Sequence, residues 1–423
     1  MSQRWHSWSA VAAAVVACAF LLPGTGRAET LAVSAGADGL RLAIGASHSG
    51  DTLILAAGVH QGPIHIDHAL TLDAEPGAIL DGQGRARTIE VAASNVAIRG
   101  LTIRNSGIDD PMDAAIFLED SATGAIVENS RIENSLVGVY VHGAAKAIVR
   151  NNRIVGRTDL RTNELGNGVY VWNAPGAQVI GNYITGGRDG IFTNASRKNL
   201  FRGNRIENVR FAVHYMYTND SEVSDNVSRN NHDGYVIMYS SRLMIRRNLS
   251  EHDGDHGLLL NYANDARIEG NVVRRSDQCV FIYNANKNLF TDNWFEDCAV
   301  GIHFTAGSER NRMTGNAFVH NRSQVVYVGT RSLDWSADGR GNYWSDNPAF
   351  DLNGDGIADT AYRPNDIFDK VVWTYPTAKL LINSPAVQVI RWAQAEFPAL
   401  HPGGVVDSAP LMAPIPPELE VNP

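Results

Sequence analysis

Val149-Arg150-Asn151-Asn152-Arg153-Ile154, Val179-Ile180-Gly181-Asn182-Tyr183-Ile184 and Phe201-Arg202-Gly203-Asn204-Arg205-Ile206 are one phrase written three times. Each has an asparagine, an apolar residue three before it and another two after. The asparagine then recurs at Asn226, Asn248, Asn271, Asn293 and Asn316. From Asn182 onward the gaps are 22, 22, 22, 23, 22 and 23 residues. Ser130 and Asn152 extend the series backward, with gaps of 22 and 30. So steady a period means that the chain winds, each turn laid on the last.

A second series runs beside the first. Gly138, Gly168, Gly190, Ala212, Gly234, Gly257, Cys279 and Gly301 each precede a short run such as Val139-Tyr140-Val141 or Ile302-His303-Phe304. The first and third residues of these runs are apolar, and alternation places them on one face of a strand. Asparagine tolerates a left-handed bend and its amides can bond along a stack. Short strands, turns of about 22 residues and Asn or Gly corners predict an all-β fold, a parallel β-helix. A right-handed coil is expected for parallel crossovers. Nine to ten clear turns at about 4.8 Å each give roughly 45 Å.

The ends differ from the middle. Residues 36–47 predict a short amphipathic helix as an N-terminal cap. Gly341-Asn342-Tyr343-Trp344 is the last corner. Ser384-Pro385 then starts a helix over 385–396, with Pro at its first position. The Pro-rich final stretch is expected to be extended or disordered. The division is a signal peptide over 1–28, a capped coil over 29–345 and a C-terminal cap over 346–423. Arg4, the apolar run from Ala10 to Leu22 and Gly26-Arg27-Ala28 have the pattern of a cleaved export signal. The mature chain is thus expected outside the cytoplasm. A formal net charge of -9 argues against nucleic acid as a partner.

Cys279 and Cys298 are 19 residues apart, three short of a full turn. Three residues along a strand span roughly 10 Å, whereas a disulfide needs Cα atoms within about 7 Å. Two free thiols are expected.

The second and fourth positions of each run point outward. They carry Tyr140, His142, Tyr170, Trp172, Phe192, Phe281, Tyr283 and His303, where Lys, Glu and Thr would be ordinary. A column of this kind marks a docking face. His214 and Met216 share one side of a strand, and Met238 follows Met216 by 22 residues. Imidazole and two thioethers at adjacent positions suit Cu(I). Separately, Asp351, Asn353, Asp355, Ile357 and Asp359, with Gly356 between, follow the alternate-position pattern of a Ca²⁺ loop. Position twelve is Tyr362, so the usual bidentate Glu is missing. The loop would clip the end of the coil.

Parallel β-helices also cleave or epimerise acidic polysaccharides, which needs a base and a cation for the sugar carboxylate. Asp189 and Asp233 lie two turns apart with Phe211 between them, and no aligned acid–cation pair stands out. A polysaccharide lyase or epimerase is therefore the alternative to a non-catalytic scaffold.

The run Val213-His214-Tyr215-Met216-Tyr217-Thr218-Asn219-Asp220 resembles the NosD family, as do Gly257-Leu258-Leu259-Leu260-Asn261-Tyr262 and Gly341-Asn342-Tyr343-Trp344-Ser345-Asp346. So does the tail from Asn383 to Pro410. The resemblance implies a periplasmic maturation factor of nitrous-oxide reductase. It implies a right-handed β-helix docked on an ABC-type complex of a membrane subunit and a cytoplasmic ATPase. That complex would take copper from a copper-chaperone lipoprotein and help build the reductase's copper-sulfur centre. The family's tail suggests that the C-terminal cap docks on the membrane subunit. The ligands His214, Met216 and Met238 come from column geometry alone.

Overall fold

In the computed structural model, which describes residues 28–305, 307–329, 331–397, 404–417 and 419, the chain coils as a parallel β-helix. Three parallel sheets of 13, 12 and 13 strands run the length of the coil. Most turns have one strand in each. In a typical turn, Gln178–Ile180 and Tyr183–Thr185 are short strands on either side of Asn182, and Asp189–Asn194 is the longer third strand. The irregular early turns, from Thr30–Val33 onward, join the same sheets. The stack is therefore longer than the clear repeats alone suggest.

The apolar positions point inward. Val139, Val141, Val169, Val171, Ile191, Val213 and Tyr215 are buried in one continuous core. The corners hold the turns in register. Asn182 Nδ2 donates to Asn204 Oδ1 at 3.0 Å and to the Val149 carbonyl at 2.9 Å, and the Asn182 backbone N–H donates to the same Asn204 oxygen. This pattern repeats from Asn152 through Asn316. Every amide in this ladder is buried and satisfied, which is what an interior polar column requires.

Helix α1 (Gly39–Ala46) buries Leu40 and Ile44 at the N-terminal end. At the other end α2 (Ile367–Thr374) begins with a capping box made by Asp366 and Asp369. Helix α3 (Pro385–Glu396) begins at Ser384, whose hydroxyl accepts from the Val387 N–H. Its limits match the expected ones. Residues 1–27, which hold nearly all of the expected export signal, lie outside the described residues. No helix among the described residues is long and apolar enough to cross a membrane.

Part of the tail is extended, one of its two expected forms: Leu333 and Asp334 pair with Val405 and Val406, and the Leu411 N–H donates to the Asn342 carbonyl. The tail closes the coil because the last turn would otherwise leave a buried polar edge unmatched. The cysteines are not free thiols: Cys279 and Cys298 form a disulfide with Cα atoms 5.7 Å apart. The strand-offset argument failed because a corner separates the two columns. Cys298 precedes the strand Val300–Thr305, at the corner that Asp253 occupies two turns earlier. Gly234 and Asp253 have the same separation, and a Cβ on Gly234 would lie 2.8 Å from Asp253 Oδ2.

Candidate functional site

The 12-stranded sheet carries the outward columns, and its register stacks them as the repeat implies. Tyr140, Tyr170, Phe192 and His214 are successive partners, and so are His142, Trp172, Asn194, Met216 and Met238. The rings stack along the first column, with centroids 4.5 Å apart for Tyr140 and Tyr170, 4.8 Å for Tyr170 and Phe192, and 4.6 Å for Phe192 and His214. His142 and Trp172 stack at 4.4 Å.

Outward is not the same as exposed. Tyr140 and Phe192 are only 6% and 7% exposed, so these two rings are largely covered by their neighbours. Tyr140 sits in a small apolar cluster with Phe117, against which Met112 and Trp172 pack. His142, Tyr170, Trp172, Phe281 and His303 are half-buried and Tyr283 is exposed.

His214 is the best-defined polar group on this sheet. Its Nδ1 lies 3.1 Å from Asp189 Oδ2. Asp189 is fully buried and also accepts two hydrogen bonds of 2.8 Å from Arg210. Burial alone would raise the Asp189 pKa, but the hydrogen bonds from His214 and Arg210 prevail and hold the carboxyl below its usual range. In the neutral imidazole, a carboxylate at Nδ1 makes that nitrogen the donor and leaves Nε2 as the nitrogen with the lone pair. His214 Nε2 is buried and has no hydrogen-bond partner among the described residues. The rings of Phe192 and Phe211 enclose the imidazole, the latter edge-on at 5.1 Å. Met216 ends the same strand, and half-buried Met238 is its partner in the next turn.

The same device recurs. His256 Nδ1 lies 2.7 Å from Asp233 Oδ1, and His303 Nδ1 lies 3.1 Å from Gln278 Oε1. These contacts also account for Asp189 and Asp233, weighed above as acids of a lyase or epimerase. Asp189 is taken by Arg210 and His214, and Asp233 by His256. Asp253 is buried inside a corner, where it accepts from Ser228, Ser250 and the Asn231 N–H.

The loop of Asp351, Asn353, Asp355, Ile357 and Asp359 closes on itself. Asp351 accepts from the N–H groups of Gly354 and Gly356, Asn353 from Asp355, Asp355 from Ile357 and Asp359 from Leu352. Its alternating oxygens thus hold the turn through backbone N–H groups. Among the described residues no group of three His, Cys, Asp or Glu side chains is arranged to hold a metal. The set of His214, Met216 and Met238 is of another kind: one imidazole prepared through its second nitrogen and two thioethers, which fits a soft monovalent ion.

One feature escaped the columns read from the sequence. Tyr217, Tyr239 and Tyr262 occupy the corner just past the strand in three successive turns. They are 53%, 42% and 41% exposed, and neighbouring rings are near-parallel at 5.1 Å. All three have positive φ, at 48°, 48° and 51°. Their spacing of 22 and 23 residues was visible, one position beyond the last column followed.

The chain is a capped parallel β-helix with an imidazole, two thioethers and exposed rings on one sheet. The family model described as "Periplasmic copper-binding protein (NosD)" matches residues 150–349. A "Probable ABC transporter binding protein NosD" of Stutzerimonas stutzeri is 41% identical over 374 residues, covering 85% of this chain and 86% of that protein. Its counterpart in Pseudomonas aeruginosa is 38% identical over 373 residues, covering 85% and 87%. The chain belongs to the NosD family, whose names mark an accessory protein of the periplasm. Among solved structures, a family 28 exopolygalacturonase of Yersinia enterocolitica aligns with a TM-score of 0.51 and 12% identity, covering 71% of this chain and 77% of that one. That likeness is one of fold alone.

Proposed function

We propose that this chain is a non-catalytic periplasmic scaffold of an ABC-type complex that binds Cu(I) and serves assembly of the copper-sulfur centre of nitrous-oxide reductase. The coil over 29–345 is the copper-bearing part and 346–423 is its cap. His214, Met216 and Met238 are the ligands. The observation that carries this is the buried, unpartnered Nε2 of His214, fixed by Asp189 beside the Met216–Met238 pair. A bare buried nitrogen is costly unless something uses it. Cu(I) accepts such a nitrogen together with thioether sulfur, and the ionised Asp189 orients the ring and raises its basicity.

The partners follow the same division. A copper-chaperone lipoprotein and nitrous-oxide reductase meet the outer face of the 12-stranded sheet. The membrane subunit, with the cytoplasmic ATPase beyond it, meets the C-terminal helices. Those helices leave Val371, Leu380, Val389, Ile390, Trp392 and Phe397 in the open, more apolar surface than a free end needs. Arg391 meets Asp366 at 2.7 Å and locks α3 to the start of α2, so this patch is presented on a fixed pair.

Anaerobic Cu(I) titration of the mature protein tests the site. The variant Met216→Ala/Met238→Ala should lose at least tenfold in affinity. Unchanged affinity and stoichiometry would remove these ligands from the proposal. Release of unsaturated sugars from uronate polymers would replace the scaffold with a lyase.

A further inference from the structure

The column of Met216 and Met238 continues into the following turn with Asn261, the register partner of Met238. Asn261 ends the strand His256–Asn261, as the two methionines end theirs, so all three lie on the outer face. Asn261 is half-buried, and its Oδ1 is buried with no hydrogen-bond partner among the described residues. His214 Nε2 is in the same condition. Two orphaned acceptors thus bracket the methionine pair, one in the turn of Met216 and one in the turn after Met238.

A buried carbonyl oxygen without a donor costs on the order of 1–3 kcal/mol. The coil itself does not ask for an amide here. The ladder asparagines bond to the turns on either side of them, as Asn248 does to Val223 and Asn271, but Asn261 stands outside that column. Asn194 flanks Met216 on the other side, also half-buried, and has no buried orphan atom. The side chains beside Asn261 offer little to its oxygen. Met238 precedes it in the column and Leu259 lies two before it on the strand, and neither is a donor. Tyr283, its partner on the far side, sets its ring across Tyr262 at 5.9 Å.

We infer that Asn261 Oδ1 is a fourth donor to the copper site and lets that site hold Cu(II) as well as Cu(I). This rests on the copper site proposed above. Thioether sulfur suits Cu(I), imidazole suits either state, and a carboxamide oxygen suits Cu(II). His214, Met216, Met238 and Asn261 together therefore carry donors for both. Their places allow one ion to be shared. Met216 to Asn261 spans two turn advances, roughly 10 Å. An ion over Met238 lies midway, and an unbranched methionine leans toward it readily. The site then keeps its ion through a change of oxidation state, which two thioethers and one imidazole would not assure.

The test measures both affinities on the mature full chain. Cu(I) is set in anaerobic competition with bicinchoninate, and Cu(II) in competition with glycine, with electron paramagnetic resonance of the bound Cu(II). Thermal unfolding confirms that each variant folds. Asn261→Leu should weaken Cu(II) roughly tenfold or more, as loss of a metal-orienting group does, and leave Cu(I) within about threefold. The reduction potential of the bound ion should then rise by about 59 mV for each tenfold change in the ratio. Asn261→Asp keeps an oxygen and should hold Cu(II) at least as tightly as the wild type. Asn194→Leu should bind both states as the wild type does. Wild-type Cu(II) affinity in Asn261→Leu, an equal loss in Asn194→Leu, or a wild type that takes Cu(I) but no Cu(II) would overturn the fourth donor and leave the Cu(I) site standing. A wild type that binds copper in neither state would overturn both.

Discussion

Asp407 stands where the next asparagine of the ladder would stand after Asn342. Its Oδ2 accepts from the Asn342 N–H at 2.7 Å and from Asn342 Nδ2 at 3.2 Å, as each Asn oxygen does one turn earlier. It also accepts from Trp344 Nε1 at 2.8 Å. A carboxylate only accepts, so it ends the series where a further amide would ask for another partner. Asp407→Ala leaves these buried donors unmet and should cost roughly 3 kcal/mol or more. Limited proteolysis should then cut within residues 404–412 while the coil persists. An undiminished tail would show that the strand pairing of Val405 and Val406 suffices.

Asp253 sets a pH dependence. Burial pushes its carboxyl up to about 6, against the hydrogen bonds from Ser228, Ser250 and Asn231 that lower it. The folded pKa is thus above the unfolded one. Stability from this group is full below the unfolded value, near 4, and is lost as pH rises through about 6. Denaturant unfolding of the wild type should therefore show a loss on the order of 2 kcal/mol between pH 4.5 and 7.5 attributable to this residue. Asp253→Asn should remove that part of the slope. The same slope in the variant would assign it elsewhere.

The disulfide ties the corner at Cys298 to the strand of Cys279. Closing a loop of this length should stabilise by about 3 kcal/mol. Cys279→Ser/Cys298→Ser should lower the denaturation midpoint accordingly, and reductant should lower it for the wild type alone. Because a solenoid's turns interact with their neighbours only, hydrogen exchange should quicken first around residues 270–325.

Asp189 acts through His214. Asp189→Asn keeps the volume and lets His214 take either tautomer, so the bare Nε2 is no longer assured. Cu(I) affinity should fall roughly 10- to 100-fold, as for other groups that orient a metal ligand, with unchanged stoichiometry. Equal affinity would separate the Asp189–His214 contact from copper.

How much of this could be read in advance depends on whether a feature repeats. The asparagine column was plain because a period of 22 becomes a vertical stack, and with it came the pairing of Met216 with Met238. The Asp189–His214 contact spans 25 residues, one turn and three more, and crosses between columns, so following single columns missed it. The cysteine error had the same root: a corner was measured as a straight strand. Tyr217, Tyr239 and Tyr262 do repeat, but at a corner where tyrosine is out of character. Asp407 repeats nothing. It reaches the ladder from 65 residues beyond Asn342, and no spacing announces it.

The ladder has one more consequence. Each turn advances the coil by about 4.8 Å, and the corner asparagines Asn248, Asn271, Asn293, Asn316 and Asn342 count the turns between the methionine pair and the capped end. A whole turn gained or lost would leave every amide bonded and every column aligned. The molecule is in that sense a ruler graduated in turns, on which the reach from end to working face can be lengthened by duplication without redesigning either.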